Sequence, residues 1–276
     1  SKMPSKCPEL ELQPDLYYNE KEALKYTRNS RIIEVQSKLS KRALELCNLP
    51  AGKSALILDL GCGSGLSGEI LEEEGHFWVG LDISRSMLEV SQSRGSSGNL
   101  ILADMGNGAP FRPAMFDACI SISALQWLCN AYTSKQIPSS RLFCLFSSLY
   151  SCMTIGSRAV FQFYPQSHQQ VELINKAAMK AGFTGGTVVD FPNSTRAKKM
   201  YLCLFVGITA PSLSQAIMDS CENNASQNFD RQPKKKKKLI KKSKLWINAK
   251  KESQEKKGLE VRPFSKYTGR RRKRRF

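Results

Sequence analysis

Ten residues constrain this chain more than any others. Leu56-Ile57-Leu58-Asp59-Leu60-Gly61-Cys62-Gly63-Ser64-Gly65 is an apolar run that stops in a turn with glycine at every second position, and a helix candidate, Leu66–Glu74, follows it. Glycines at such a turn admit backbone angles closed to other residues and let a ligand approach the main chain. A strand, a glycine turn and a helix in that order open a nucleotide-binding βαβ unit. Gly63-x-Gly65-x-x-Gly68 also fits the dinucleotide spacing G-x-G-x-x-G, a match that by itself says little.

The rest of the chain has to supply that unit with partners, and its pattern does. Asn19–Leu49 repeats apolar residues at three- and four-residue steps (Ile32, Val35, Leu39, Ala43, Leu46), which predicts a helix stopped by Pro50-Ala51-Gly52. Strands are predicted at 55–58, 77–81, 100–103, 116–123, 159–163, 187–189 and 200–206. Helices are predicted at 84–92, 139–152 and 169–181, with Ser84 as the N-cap of the first. Strand and helix alternate at crossover spacing. The expected fold is therefore α/β, a doubly wound, mostly parallel sheet of seven strands with helices on both faces, in the order 3-2-1-4-5-7-6. The expected domains are an N-terminal extension (1–18), a cofactor-binding domain with its N-terminal helix (19–207), a linker (208–230) and a basic tail (231–276).

Acids at the strand ends say what the turn receives. A pyrophosphate would be repelled by Asp59, two residues ahead of the first glycine, whereas the ammonium of an amino acid would be attracted. Asp82 ends the second strand, where an acid can accept from ribose hydroxyls. Asp104 ends the third, where it can accept from an adenine amino group while Met105 packs on the ring. Three acids at three successive strand ends make a pocket for S-adenosylmethionine. The candidate cofactor residues are Asp59, Gly61, Cys62, Gly63, Gly65, Asp82, Ile83, Asp104, Met105 and Ser121.

Charge points to the other substrate. The chain has 42 Lys+Arg against 24 Asp+Glu, a net charge of +18. Residues 231–276 hold 21 of those bases and 3 of those acids, leaving 21 of each in residues 1–230. A neutral body thus carries a basic arm suited to nucleic acid or nuclear import. Lys234–Lys238, Lys241, Lys242, Lys244 and Arg270–Arg275 form its clusters, with Trp246 and Tyr267 available to stack on bases. No membrane-length apolar run occurs. The nine cysteines include no C-x-x-C pair and are odd in number, which argues against a disulfide framework and a zinc site, and suggests a reducing compartment. His76 and His168 lack partners at ligand spacing, so no metal is expected.

The reaction is narrowed by what is missing. The Asn/Asp-Pro-Pro-Tyr turn of exocyclic-amine methyltransferases does not follow the fourth strand. Cys119 and Cys129 are poorly placed to act as the thiolate of a carbon-5 pyrimidine enzyme, and no Lys-Asp-Lys-Glu set is present for ribose 2′-hydroxyls. Guanine N7 carries a free lone pair, so its methylation needs placement and electrostatics without a general base. No single catalytic residue is assigned. Trp127, Tyr164, Tyr26, Arg28, Asn29 and Arg31 are the candidate substrate-pocket residues, the last four on a helical lid. A methyltransferase for protein or small molecules, an assembly factor on a methyltransferase scaffold and, more distantly, a nicotinamide enzyme are the competing readings.

Several blocks together resemble one family. Asn29-Ser30-Arg31-Ile32, the 59–68 glycine segment, Trp78-Val79-Gly80-Leu81-Asp82-Ile83-Ser84, Ile120–Asn130 with its Ser-Ala-Leu-Gln-Trp-Leu-Cys core, Gly156–Val160 and Tyr267-Thr268-Gly269-Arg270 are similar to the eukaryotic 18S ribosomal RNA guanine-N7 methyltransferases of small-subunit biogenesis. The resemblance runs from about residue 14 to the C-terminus. It implies methylation of one small-subunit guanine, a role in pre-40S maturation partly separable from catalysis, and work in the nucleus, nucleolus and nucleoplasm, with the cytoplasm a further site. It also implies a small zinc-binding activator subunit. The short apolar third strand, Leu100–Leu102, would lie at the sheet edge, where such a subunit could add a strand.

Overall fold

The computed structural model describes residues 8–134, 136–194 and 197–207, together with Ile247, Lys250 and Lys251. The linker and nearly all of the basic tail, including Trp246 and Tyr267, lie outside the described residues. By contacts along the chain the protein divides into two units, Ser1–Ser220 and Cys221–Phe276. The first holds every strand named here.

Four helical elements come before the first strand. A short 3₁₀ turn at Pro8–Leu10 leads to α1 (Pro14–Tyr17), α2 (Glu20–Arg28) and α3 (Ser30–Cys47). The single helix expected over 19–49 is broken at Asn29, which adopts φ −81°, ψ 105° and caps α3 by accepting from the N–H groups of Arg31 and Ile32. An Asn side chain satisfies the orphan donors of a new helix better than it continues an old one.

Seven strands follow: β1 (Leu56–Leu60), β2 (Phe77–Asp82), β3 (Asn99–Leu102), β4 (Phe116–Ile122), β5 (Met153–Phe163), β6 (Thr184–Asp190) and β7 (Lys199–Phe205). Between them run α4 (Leu66–Glu73), α5 (Arg85–Ser93), α6 (Pro138–Cys152) and α7 (His168–Lys180). The sheet order is β3-β2-β1-β4-β5-β7-β6, as expected. Pairings from β3 through β5 are parallel, and β7 runs antiparallel to both neighbours. Two strands are longer than their sequence shows. β5 begins six residues before Ala159, because Met153 pairs with Phe116 ahead of a register shift. β6 gains Thr184-Gly185-Gly186, whose glycines hide the strand pattern. A Cβ on Gly185 would collide with the Cys203 carbonyl.

Both faces of the sheet are buried, as crossover helices require. On one face Leu142, Leu145, Phe146 and Leu149 of α6 pack against Phe161, Phe163 and Leu202. On the other, Leu39, Ala43 and Leu46 of α3 meet Ile57, Ile120 and Val160, with Leu71 of α4 and Trp78 beside them. The carboxyl ends of β1, β2, β3 and β4 are left to form one wall, which is where an open α/β sheet binds its ligand.

Candidate active site

At the end of β1 the chain turns through Gly61 (φ 75°), Gly63 (φ 53°) and Gly65 (φ 80°). Gly61 donates its N–H to the Leu81 carbonyl at 2.7 Å, which locks the turn to β2. A Cβ on Gly61 would collide with the Ala124 methyl, so the position has room for nothing larger. A cavity of about 240 Å³ opens over this turn, and Gly61, Cys62, Gly63 and Ser64 line it.

Two of the expected cofactor residues stand behind that wall. Asp59 is fully buried and does not line the cavity; its Oδ2 accepts from Ser67 Oγ at 2.5 Å, and Ser67 is the residue that reaches the surface of the cavity. Ser121 is also fully buried and donates to the Leu60 carbonyl at 2.7 Å. Both lie within their strands, short of the opening, and the register that pairs Asp59 with Ile120 puts their side chains on opposite faces of the sheet. Gly65 caps α4 and does not line the cavity either.

Asp82 and Asp104 do reach it, and each is held by backbone. Asp82 accepts from Gly63 N–H at 2.8 Å and from Ser84 N–H at 2.7 Å. Burial raises its carboxyl above the ordinary aspartate range, and those N–H groups oppose the rise. Asp104 accepts from Gly106 N–H at 2.8 Å and from one guanidinium nitrogen of Arg141 at 2.8 and 2.7 Å. Arg141 is a cavity residue that sequence reasoning missed, since nothing marks it within the apolar pattern of α6. Ile83 and Met105 add apolar surface next to the two acids.

The far end of the cavity is aromatic. Tyr26, Trp127 and Tyr164 line it, as expected, and Tyr18 joins them. Trp127 lies 5.9 Å from Tyr17 and 5.8 Å from Tyr18, centroid to centroid, and Tyr18 lies 5.9 Å from Tyr26. Arg28, Asn29 and Arg31 do not line it; Asn29 is spent on its cap, and both arginines are exposed. Gln36 of α3 lines the cavity instead. The region before residue 19, which has no periodicity to read, supplies Glu9, Pro14 and Tyr18. Ser84 Oγ donates to the Tyr18 carbonyl at 2.7 Å and holds that segment against the cofactor side.

Comparison with known proteins bears on the family and the fold. Residues 58–136 match a family described as a methyltransferase domain, and residues 211–274 match one described as a methyltransferase involved in Williams-Beuren syndrome. The 18S rRNA (guanine-N(7))-methyltransferase of Mus musculus is 53% identical over 278 residues, covering 99% of either chain. The chain belongs to the 18S rRNA (guanine-N7)-methyltransferase family. Its Arabidopsis thaliana relative, RID2, is 46% identical over 99% of this chain and 100% of its own. The fold also recurs at 15% identity in a TehB-like methyltransferase from Corynebacterium glutamicum, with a TM-score of 0.53 over 68% of this chain and 100% of that one.

Membership in this family fits the state of the thiols. Burial pushes the Cys119 thiol well above its ordinary value and the Cys129 thiol up to about 11. Neither is a thiolate at neutral pH, so neither can open a covalent route through a pyrimidine.

Asp59 makes a prediction of its own. Burial pushes its carboxyl up to about 7, against the hydrogen bond from Ser67 that lowers it. Below about pH 4 the carboxyl is protonated in folded and unfolded chains alike. Between about pH 4 and pH 7 the unfolded chain ionises first, so this group's contribution to stability falls as pH rises and is fully lost above about 7. At about 1.4 kcal/mol per unit, the swing is about 4 kcal/mol. The stability of Asp59→Asn relative to the native chain, from denaturant melts, should climb across that window and level off above it. A flat difference would show that Asp59 is ionised in the fold.

Proposed function

We propose that this protein transfers a methyl group from S-adenosylmethionine to N7 of a guanine in 18S rRNA during small-subunit maturation. The likeness to 18S rRNA (guanine-N7)-methyltransferases over essentially the whole chain carries this reading. The cavity fits the cofactor: Ser64 is 2% exposed and lines it, and its Oγ has no hydrogen-bond partner among the described residues. An amino-acid end needs such a group beside the glycine turn. Asp82 would then accept from the ribose hydroxyls, while Asp104 and Met105 meet the adenine with Ile83.

When bound, S-adenosylmethionine would supply an electrophilic methyl for the N7 lone pair, a transfer that would leave the sulfur neutral and the purine positive and would move no proton. The chain supplies position and a field. Trp127, Tyr18 and Tyr26 stack on the flipped base and keep water from the line of transfer. The basic residues of 231–276 contribute salt-dependent affinity for rRNA phosphates and direct the protein to the nucleus and nucleolus.

A small zinc-binding activator is the partner in this reading. Among the described residues β3 pairs only with β2; it carries no charge and leaves Leu102 55% exposed. In this reading the zinc is the activator's own. An added strand would satisfy the free edge of β3 and cover its apolar side chains.

One experiment tests both parts. The full chain, expressed with and without the activator, is incubated with methyl-labelled S-adenosylmethionine and 18S rRNA precursor particles, and the nucleosides are resolved. Label is expected in 7-methylguanosine and to depend on the activator. Leu102→Asp should lose the activator on gel filtration while keeping cofactor affinity within about twofold. Label on another atom would overturn the reaction, and co-elution of the Leu102→Asp chain would overturn the edge.

A further inference from the structure

N7 cannot by itself identify the base. Adenine and guanine both present an N7 lone pair, so a site that aims N7 at a methyl donor must choose between them at the opposite edge of the purine. There guanine offers two adjacent donors, N1–H and N2–H. Adenine offers an acceptor at N1 and a donor at N6. A selective pocket therefore needs acceptors, fixed in place, on the far side of the aromatic mouth.

The structure holds such a pair. Glu9 and Gln126 both line the cavity, beside Trp127. Gln126 is 4% exposed, and both protons of its amide are used: Nε2 donates to Glu9 Oε1 at 3.0 Å and to the Ser123 carbonyl at 2.8 Å. That geometry leaves Gln126 Oε1 buried, with no partner among the described residues. Glu9 is anchored at its other end, where its carbonyl accepts from Tyr132 Oη–H at 2.9 Å. Ser123 is itself fixed in the left-handed region (φ 58°), its N–H donating to the Gln162 carbonyl at 2.9 Å and its Oγ to Gln162 Oε1 at 2.7 Å. A non-glycine residue held at positive φ beside a cavity marks a position that the fold keeps for use.

Glu9 and Gln126 present only acceptors to the cavity; Gln162 Nε2, a donor with no partner among the described residues, does not line it. We infer that the Glu9 carboxylate and the Gln126 carbonyl read the N1–H and N2–H edge of guanine while N7 faces the methyl donor. The inference rests on the methyltransferase reading above. Adenine at the same place would set its N1 lone pair against a carboxylate, and a site built to bond a donor rejects the analogue that lacks it. The same carboxylate favours the reaction as well as the base, because the purine becomes a cation as the methyl arrives and a fixed negative charge beside it stabilises that charge. Glu9 acts on the substrate without taking a proton, in keeping with N7 chemistry.

The test uses the full chain with its activator, and an 18S rRNA transcript ligated with guanosine or inosine at the target. Inosine keeps N7, O6 and N1–H and lacks only the N2 amino group. For the native chain, inosine is expected to lower kcat/KM about tenfold, the worth of one charge-assisted hydrogen bond. Glu9→Ala should lower kcat/KM on guanosine by about 30-fold, mostly in kcat, and should barely distinguish inosine from guanosine. Cofactor affinity, by calorimetry, should stay within about twofold in every variant, which also reports a folded site. Glu9→Asp, which keeps the charge on a shorter arm, should recover part of the loss. If Glu9→Ala discriminates against inosine as strongly as the native chain, Glu9 does not read the base. If Glu9→Ala loses cofactor affinity tenfold or more, the carboxylate serves the cofactor's ammonium and the inference is overturned. If the native chain methylates neither transcript, the proposed function falls, and this inference with it.

Discussion

Asp82→Ala is expected to abolish measurable S-adenosylmethionine binding while leaving the protein folded. Its carboxylate does two things at once. It accepts from Gly63 N–H at 2.8 Å, which fixes the curvature of the glycine turn, and from Ser84 N–H at 2.7 Å, which fixes the start of α5. Its remaining lone pairs face the cavity, where the ribose hydroxyls are placed. Removing it costs two hydrogen bonds from the sugar, each about 1.5–3 kcal/mol when the acceptor is charged, and frees the turn that cradles the amino-acid end. The sum is about 3–6 kcal/mol, a loss of roughly 10²- to 10⁴-fold in Kd. Asp82→Asn should be intermediate, because its oxygen can still accept one N–H while its amide nitrogen confronts the other. Calorimetry on the three proteins measures this. A Kd for Asp82→Ala within threefold of native would remove Asp82 from the cofactor site.

Much of this site can be read without a structure, for a physical reason. The glycine turn and the acids after β2 and β3 lie on segments whose geometry the sequence dictates: apolar strands of fixed period, glycines where φ is positive, an acid at each strand end. Gly61, Gly63, Asp82, Ile83, Asp104 and Met105 accordingly line the cavity. The reading fails where depth decides. Asp59 and Ser121 are on the right strands but buried within them, short of the opening. It fails again where the chain crosses the cavity without a period. Glu9 and Tyr18 arrive through turns and a single-turn helix, and nothing in the local sequence says that residues 8–18 fold over β4. Arg28, Asn29 and Arg31 show the converse, for polar residues on a helical lid looked like ligands for substrate, yet Asn29 is a cap and the arginines face solvent. Gln126 was visible inside the Ser-Ala-Leu-Gln-Trp-Leu-Cys block. Its role depends on Glu9, which is 117 residues away along the chain and reaches it only in the fold.

Trp78→Ala separates stability from binding, and its expected effect is large. Trp78 is the second residue of β2 and is 2% exposed. Its indole lies in a slot cut by three glycines: a Cβ on Gly68 of α4, Gly80 of β2 or Gly98 before β3 would run into the ring. The third glycine of the G-x-G-x-x-G spacing thus serves helix–strand packing, the role that position has in dinucleotide folds. The indole N–H donates to Glu72 Oε1 at 2.8 Å, and the same oxygen accepts from Ser97 N–H at 2.9 Å. One side chain therefore pins α4, β2 and the turn into β3 together. Truncation leaves a cavity that glycines cannot fill and exposes Glu72 to the loss of a partner, at a cost of about 3–5 kcal/mol. The melting temperature should fall on the order of 10 °C. Well below that melt, S-adenosylmethionine should still bind within about tenfold, because the indole does not line the cavity. Asp82→Ala should show the reverse, a smaller fall in melting temperature with no measurable binding. If Trp78→Ala melts within 2 °C of the native chain, the slot contributes no stability, and the three glycines need another explanation.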